Sequence, residues 1–169
     1  MQIRQLTASD SVALRALRLA ALQDAPSAFH ASYEEEKDLP ISVTEALLKT
    51  ASDRGIFGAF EGTVLVGIVG LGRESKRTLQ HKAIVWSMYV SPGARRNGVG
   101  RALLADALKF ARSVPGLRQV NLGVTAGNEP ALRLYESMGF KVFGRERDAL
   151  VVNGKPHDEL HMSLHFDER

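Results

Sequence analysis

The segment Val90–Ala107 constrains this chain more than any other. It runs Val90-Ser91-Pro92-Gly93-Ala94-Arg95-Arg96-Asn97-Gly98-Val99-Gly100-Arg101 and on into Ala107. An apolar strand pattern precedes it, a basic turn with glycines sits inside it, and a helix opens after Gly98. Val99, Leu103, Ala107 and Phe110 recur at helical spacing, so one face of that helix packs on a sheet. A turn that opens directly onto a helix leaves several backbone N–H groups without acceptors. Together with the positive end of the helix dipole they form a site for phosphate. Gly98 and Gly100 carry no Cβ and let an anion approach the backbone. Arg95, Arg96 and Arg101 add positive charge around it.

Two phosphate-binding motifs are excluded. No Lys-Ser or Lys-Thr follows the glycines, as a P-loop requires. Leu103 stands where a dinucleotide fingerprint needs its third glycine, and no acidic residue ends a strand at the right distance. What remains is Arg-x-x-Gly-x-Gly at Arg95–Gly100, between a strand and a helix. This hexad resembles the pyrophosphate-binding signature of the GCN5-related N-acetyltransferases (GNAT), which use acetyl-coenzyme A. Asn128-Glu129-Pro130-Ala131-Leu132-Arg133-Leu134-Tyr135 followed by Gly139-Phe140 resembles the same family's second motif. Trp86-Ser87-Met88-Tyr89-Val90-Ser91-Pro92 resembles its central strand. The parts stand in the family's order, and the resemblance spans about residues 56–166.

With 169 residues the chain suits a single domain over its whole length. A domain of that size buries about 70% of the surface its unfolded chain exposes, enough for an independent core. The formal charge is +3, from 22 basic against 19 acidic residues, too mild and too scattered to argue for nucleic acid. There is no cysteine, hence no disulfide framework and no thiol nucleophile. No apolar run has the length of a membrane span, and no signal core opens the chain, so a cytoplasmic protein without membrane partners is expected.

Read in order, Met1–Leu6 is a short edge strand. Thr7–Asp10 caps a helix to about Gln23, with Val12, Ala16 and Leu19 on its apolar face and Arg15 and Arg18 elsewhere. The segment 28–40 carries Phe29, His30, Tyr33 and Glu34–Glu36. It is either a solvated acidic turn or an acidic, aromatic wall for a cationic amine. Ser42-Val43-Thr44-Glu45 fits a capping box opening a helix to about Ser52. Strands follow at Gly55–Glu61, Val64–Arg73 and His81–Val90. Strict alternation in the last would put Ile84, Trp86, Met88 and Val90 on one face and Ala83, Val85, Ser87 and Tyr89 on the other. After the helix from Gly98 to about Ser113 come a strand at Gln119–Thr125 and a helix opened by Asn128 and Pro130 and closed by Gly139. Phe140–Phe143 and Leu150–Val152 read as two separate strands, and Asn153-Gly154 as a hairpin turn. The last strand puts Leu160, Met162, Leu164 and Phe166 on one face. The fold class is therefore α/β: a mixed sheet, parallel at its centre, with helices on both faces.

The resemblance implies acetyl-CoA as cosubstrate, held by Arg95, Arg96, Asn97, Gly98, Val99, Gly100 and Arg101 at the diphosphate. It places the backbone of Met88 and Val90 along the pantetheine arm, and Asn128 at that arm or as a helix cap. Tyr135 matches the family tyrosine that donates to the leaving sulfur. A phenol is protonated at neutral pH and can do so; core packing is its plain alternative. The general base is open among His30, Glu34, Glu35, His81 and Glu159. The implied function is direct transfer of an acetyl group to a primary amine in a ternary complex, with a small molecule the favoured acceptor. A non-catalytic acetyl-CoA-binding module and a longer-chain acyltransferase are the alternatives. Dimers are common in proteins of this kind, so a homodimer stays open. No metal is expected: His157, His161 and His165 are four apart on a strand, which separates neighbours by roughly 13 Å.

Overall fold

The computed structural model describes residues 1–166. Seven strands form one sheet: β1 (Gln2–Gln5), β2 (Arg54–Glu61), β3 (Val64–Arg73), β4 (Lys82–Val90), β5 (Gln119–Thr125), β6 (Lys141–Val152) and β7 (Lys155–His165). Their spatial order is β1-β2-β3-β4-β5-β7-β6. Among the described residues β4 and β5 are the one parallel pair, and every other neighbour is antiparallel. Helices α1 (Ser11–Asp24), α2 (Tyr33–Glu36) and α3 (Ile41–Leu47) lie between β1 and β2. Helix α4 (Val99–Ser113) joins β4 to β5, and α5 (Glu129–Ser137) joins β5 to β6.

Helices cover both faces, and each face has its own core. On one side α4 buries Val99, Leu103, Leu104, Ala107, Leu108 and Ala111 against Phe57, Val69, Leu71 and Val85. On the other, α1 buries Leu14, Leu17, Ala21 and Leu22 against Ile56, Phe60, Ile68 and Tyr89. Burying apolar side chains on both sides is what a strand with two apolar faces requires. The last strand keeps its expected face: Met162 is fully buried, with Leu160, Leu164 and Phe166 packed beside it.

Four expectations are corrected. The apolar face of α1 is Leu14–Leu17–Ala21, not Val12–Ala16–Leu19, and Val12 is exposed. Alanine and leucine surround this helix, so two stripes share the same period, and the leucine-rich one wins because it buries more area. Helix α3 starts at Ile41 with Pro40 as its cap and ends at Leu47. The fixed φ of Pro40, −65°, seats the first turn two residues before the supposed capping box. Capping boxes do form at Thr7/Asp10 and Ser32/Glu35. Residues 141–152 make one strand instead of two. Its charged centre hides the alternation, yet it stays paired to β7 through two register shifts.

The fourth correction shapes the site. Strand β4 does not alternate throughout, because its pairing with β3 shifts between Ile68 and Gly70. Ser87 sits there with φ +52°, a left-handed conformation rare outside glycine. One extra residue swaps the faces beyond it. Ala83 and Val85 face α4, and Met88 and Val90 return to that side. Tyr89 joins the α1 core.

Candidate active site

Three residue pairs hold β4 to β5: Lys82–Gln119, Ala83–Val120 and Ile84–Asn121. Beyond them the strands part, and the edges of both are left unpaired at the centre of the sheet. The opening is a fork with Val85–Val90 on one arm and Leu122–Thr125 on the other. On its α4/α5 side lies a cavity of about 100 Å³ that Met88, Leu122, Asn128, Leu134 and Tyr135 help to line.

At the far end of this side stands the turn before α4. Gly98 is the helix cap, with φ +76° and open space where a Cβ would be. Arg96 is also left-handed, at φ +66°. The first intrahelical bond runs from the Ala102 N–H to the Gly98 carbonyl. Among the described residues, no acceptor meets the N–H of Arg96, Asn97, Gly98, Val99, Gly100 or Arg101. Successive unpaired N–H groups at a helix start concentrate positive potential.

The side chains of this turn divide their work. Val99 is buried in the core, so only its backbone faces the turn. Arg95 is turned away: Nη2 donates to Asp24 at 2.6 Å and Nε donates to the Val90 carbonyl at 2.8 Å. Its guanidinium lies 5.5 Å from the Tyr89 ring centre. Arg96 and Asn97 are exposed, and Arg101 donates to Ser137 on α5 at 2.9 Å. Gly100 differs from its expected part. A Cβ there would lie 3.2 Å from Met88 Cε and 3.3 Å from Leu134 Cδ2. Its smallness thus lets α4 close on β4 and α5. The Ser91 N–H pairs with Val66, which turns the polar groups of Val90 away from β3, toward the fork.

Asn128 caps α5, its Oδ1 accepting from the Ala131 N–H at 3.4 Å. Tyr135 is buried, and its ring meets Phe140 edge-on at 6.0 Å. Its hydroxyl has no hydrogen-bond partner among the described residues. Burial alone pushes its pKa up to about 12, because a phenolate there would lose its water.

The opposite side of the fork holds a second cavity, of about 340 Å³, lined by Phe29, His30, Trp86, Thr125 and Glu159 among others. A third, of about 290 Å³, runs between α1, α3 and the sheet and is mostly apolar: Leu14, Leu19, Leu39, Val43, Leu47, Ile56 and Ile68. Trp86 borders all of these. Arg18 crosses the floor, bonding both Glu36 oxygens at 2.9 and 3.0 Å and the Ser87 hydroxyl. The acidic segment is not a free wall. Glu34 pairs with Lys37, Glu35 accepts from Ser32, and Glu36 holds Arg18. His81 stands just before β4, at its closed end. His30 and Glu159, far apart in sequence, are joined by a bond of 2.8 Å. Glu146, Glu159 and His161 bring one donor atom each within 4.8 Å of one another. His161 already bonds Glu146 at 3.1 Å.

Comparison with known proteins places this geometry. Residues 17–140 match the model of the acetyltransferase (GNAT) family. The chain belongs to this family. The N-alpha-acetyltransferase RimI of Mycobacterium tuberculosis is 39% identical over 97 residues, covering 57% of this chain and 58% of that protein. The chain thus spans little more than half the length of that curated relative. The fold matches a GNAT acetyltransferase of Streptococcus pneumoniae at a TM-score of 0.87, with 22% identity over 98% of this chain and 99% of that one. It also matches YncA, a putative acetyltransferase of Salmonella typhimurium determined with acetyl-CoA, at 0.83 and 24% identity, over 100% of this chain and 95% of that one. As a GNAT family member the chain carries an acetyltransferase fold, a mixed sheet flanked by helices.

Proposed function

We propose that this GNAT protein transfers the acetyl group of acetyl-CoA to the primary amine of a small-molecule acceptor, directly, in a ternary complex. One observation carries the reading. The unpaired N–H groups of Arg96–Arg101 and the unpartnered hydroxyl of Tyr135 face the same side of the open fork, and Gly100 packs against Leu134, one residue before Tyr135. A diphosphate at the turn and a thioester at the tyrosine belong to one extended molecule, and the free edge of β4 between them suits its amides.

Transfer needs three things from the protein. The thioester carbonyl must be held still at the fork. The acceptor nitrogen must arrive as a free amine from the other side. The sulfur must receive hydrogen-bond support as the carbon–sulfur bond breaks. Tyr135 supplies the last. With a pKa of about 12 it holds its proton throughout the neutral range and stabilises charge as it grows on sulfur. Arg95 acts by position: tied to Asp24 and Val90, it fixes the turn so that the backbone can bind. The absence of cysteine fits direct transfer without a thiol acyl-enzyme.

Calorimetric titration with acetyl-CoA, CoA and 3′-dephospho-CoA tests the binding half. Binding of all three, surviving loss of the 3′-phosphate, is expected. No binding to any of them would leave a fold without this chemistry. Thiol release in the presence of amino acids, simple amines and peptide amides tests the second half.

A further inference from the structure

The two sides of the fork share their rim. Ala28, Val85, Trp86, Ser87, Gly123 and Thr125 border both the cavity that holds Tyr135 and the one that holds Glu159. The two cavities therefore adjoin at the fork, with a phenol on one side and a carboxylate on the other. Glu159 lies directly on its β5 arm: a Cβ on Gly123 would fall 2.3 Å from Glu159 Oε1. Its side chain is only 8% exposed, whereas His30, bonded to it at 2.8 Å, is 75% exposed. A buried carboxylate beside this fork, wired to water through a surface imidazole, has the layout of a proton exit.

We propose that Glu159 takes the proton of the acceptor's ammonium group and that His30 passes it to solvent. This rests on the transferase reading above. Glu159 accepts one proton from R–NH3⁺, giving the free amine. The nitrogen lone pair then bonds to the thioester carbon from the Glu159 side. As the carbonyl reforms, the carbon–sulfur bond breaks and its electron pair goes to sulfur. Tyr135 gives its proton to that sulfur and regains one from the newly bonded nitrogen. The products are the amide, CoA thiol and one proton, which leaves through His30. The charged and titratable groups facing Glu159 are His30 from the segment after α1, Glu146 on β6, His161 on its own strand and Arg18 across the cavity. Two of the three acids of α2 are paired with the cations Arg18 and Lys37, whereas Glu159 and Glu146 have imidazole partners.

The test compares wild type with Glu159→Gln and His30→Gln. The acceptor probes are an alanyl peptide amide and N-acetyl-lysine amide, and thiol release is followed from pH 6 to 10. Glu159→Gln is expected to lower kcat on the lysine amine by about 100-fold at neutral pH. The deficit shrinks about tenfold per pH unit as bulk base deprotonates the amine. It is smaller on the peptide, whose α-amine ionises near 8 against about 10.4 for lysine. Acetyl-CoA affinity by calorimetry stays unchanged. His30→Gln lies at an exposed position that does not endanger folding, and it lowers kcat several-fold with a shifted acid limb. Equal kcat and equal pH profiles in wild type and Glu159→Gln overturn the proposal while the transferase reading stands. An unaltered His30→Gln removes the exit route. Wild type that binds acetyl-CoA yet acetylates neither probe nor any simple amine overturns the transferase reading, and the base falls with it.

Discussion

Replacing Tyr135 by phenylalanine separates chemistry from stability in a way the geometry makes quantitative. The hydroxyl has no hydrogen-bond partner among the described residues, and because no side-chain oxygen there is both fully buried and unpartnered, it opens onto the cavity of about 100 Å³. An ordinary buried hydroxyl contributes about 1 kcal/mol through its hydrogen bond, and one that only meets a cavity contributes less or slightly opposes folding. Tyr135→Phe should therefore leave stability unchanged or raise it by up to about 1 kcal/mol, a rise of about 0–4 °C in Tm for a chain of this size. Turnover should fall about 100-fold, the loss of one donor to a developing negative charge, or about 2.7 kcal/mol of barrier. The alkaline limb adds a second signature. With a folded pKa of about 12 against about 10 in the unfolded chain, the folded state keeps its proton where the unfolded state has lost it. Stability from this group is full below pH 10 and is lost between pH 10 and 12, by about 2–3 kcal/mol. Phenylalanine has no such loss, so the variant melts above wild type by a margin that widens from pH 10 to 12. Calorimetric melting at several pH values, beside thiol-release kinetics, reads all three effects. A Tm several degrees lower for the variant at neutral pH would show that the hydroxyl holds the fold together. Unreduced turnover would remove it from the reaction.

Other perturbations separate neighbouring effects. Gly98→Asn and Gly98→Asp have the same shape, and asparagine tolerates the left-handed φ of +76°; calorimetry should find acetyl-CoA affinity within a few-fold of wild type for the first and more than tenfold weaker for the second. Gly100→Ala needs only the flexible ends of Met88 and Leu134 to yield, so denaturant unfolding should show a loss of about 1 kcal/mol or less. The hydrogen bonds of Arg4, with the Thr7 N–H behind them, hold Asp10 down to about 2 against the opposing effect of burial. Asp10→Asn should cost about 1–2 kcal/mol at neutral pH. That difference is full above about pH 4 and disappears as pH falls toward 2, which acid titration of the two melting curves would follow. Leu103→Ala, at a fully buried position of α4, should cost about 3–4 kcal/mol in urea unfolding.

What the chain disclosed in advance depended on how local the cause was. The phosphate turn was legible because Gly98 and the apolar period from Val99 lie within a few residues of each other. Asn128 was legible as a cap for the same reason, and the cap is seen. The bulge in β4 was not, since the left-handed residue is Ser87 and nothing in the sequence marks it. Arg95 read as a free cation; its partner Asp24 lies 71 residues away and is brought near only by α1. The apolar face of α1 was ambiguous because alanines and leucines surround the helix. The fork itself belongs to no segment. It arises where two well-paired strands stop pairing. Glu159 and His30, 129 residues apart, become neighbours only across it.

That fork also divides the molecule's architecture. Strands β1 to β4 come from residues before Ser91, and β5 to β7 from residues after Arg118. Each group contains hairpins of nearby sequence, β2–β3–β4 in the first and β6–β7 in the second, the kind of contact that forms fast. Helix α4 rests on β2 and β3 and meets α5 through Gly100 and Leu134 and through the Arg101–Ser137 bond. Among the described residues, three residue pairs are the whole of the strand pairing between the two groups. The seam is thus the weakest line in the sheet. A coenzyme with its diphosphate on α4 and its thioester beside Tyr135 would be gripped by one group at each end. Occupancy then works as a clasp, and protease nicking or amide exchange along β4 and β5 should slow most, of all the backbone, when acetyl-CoA is present.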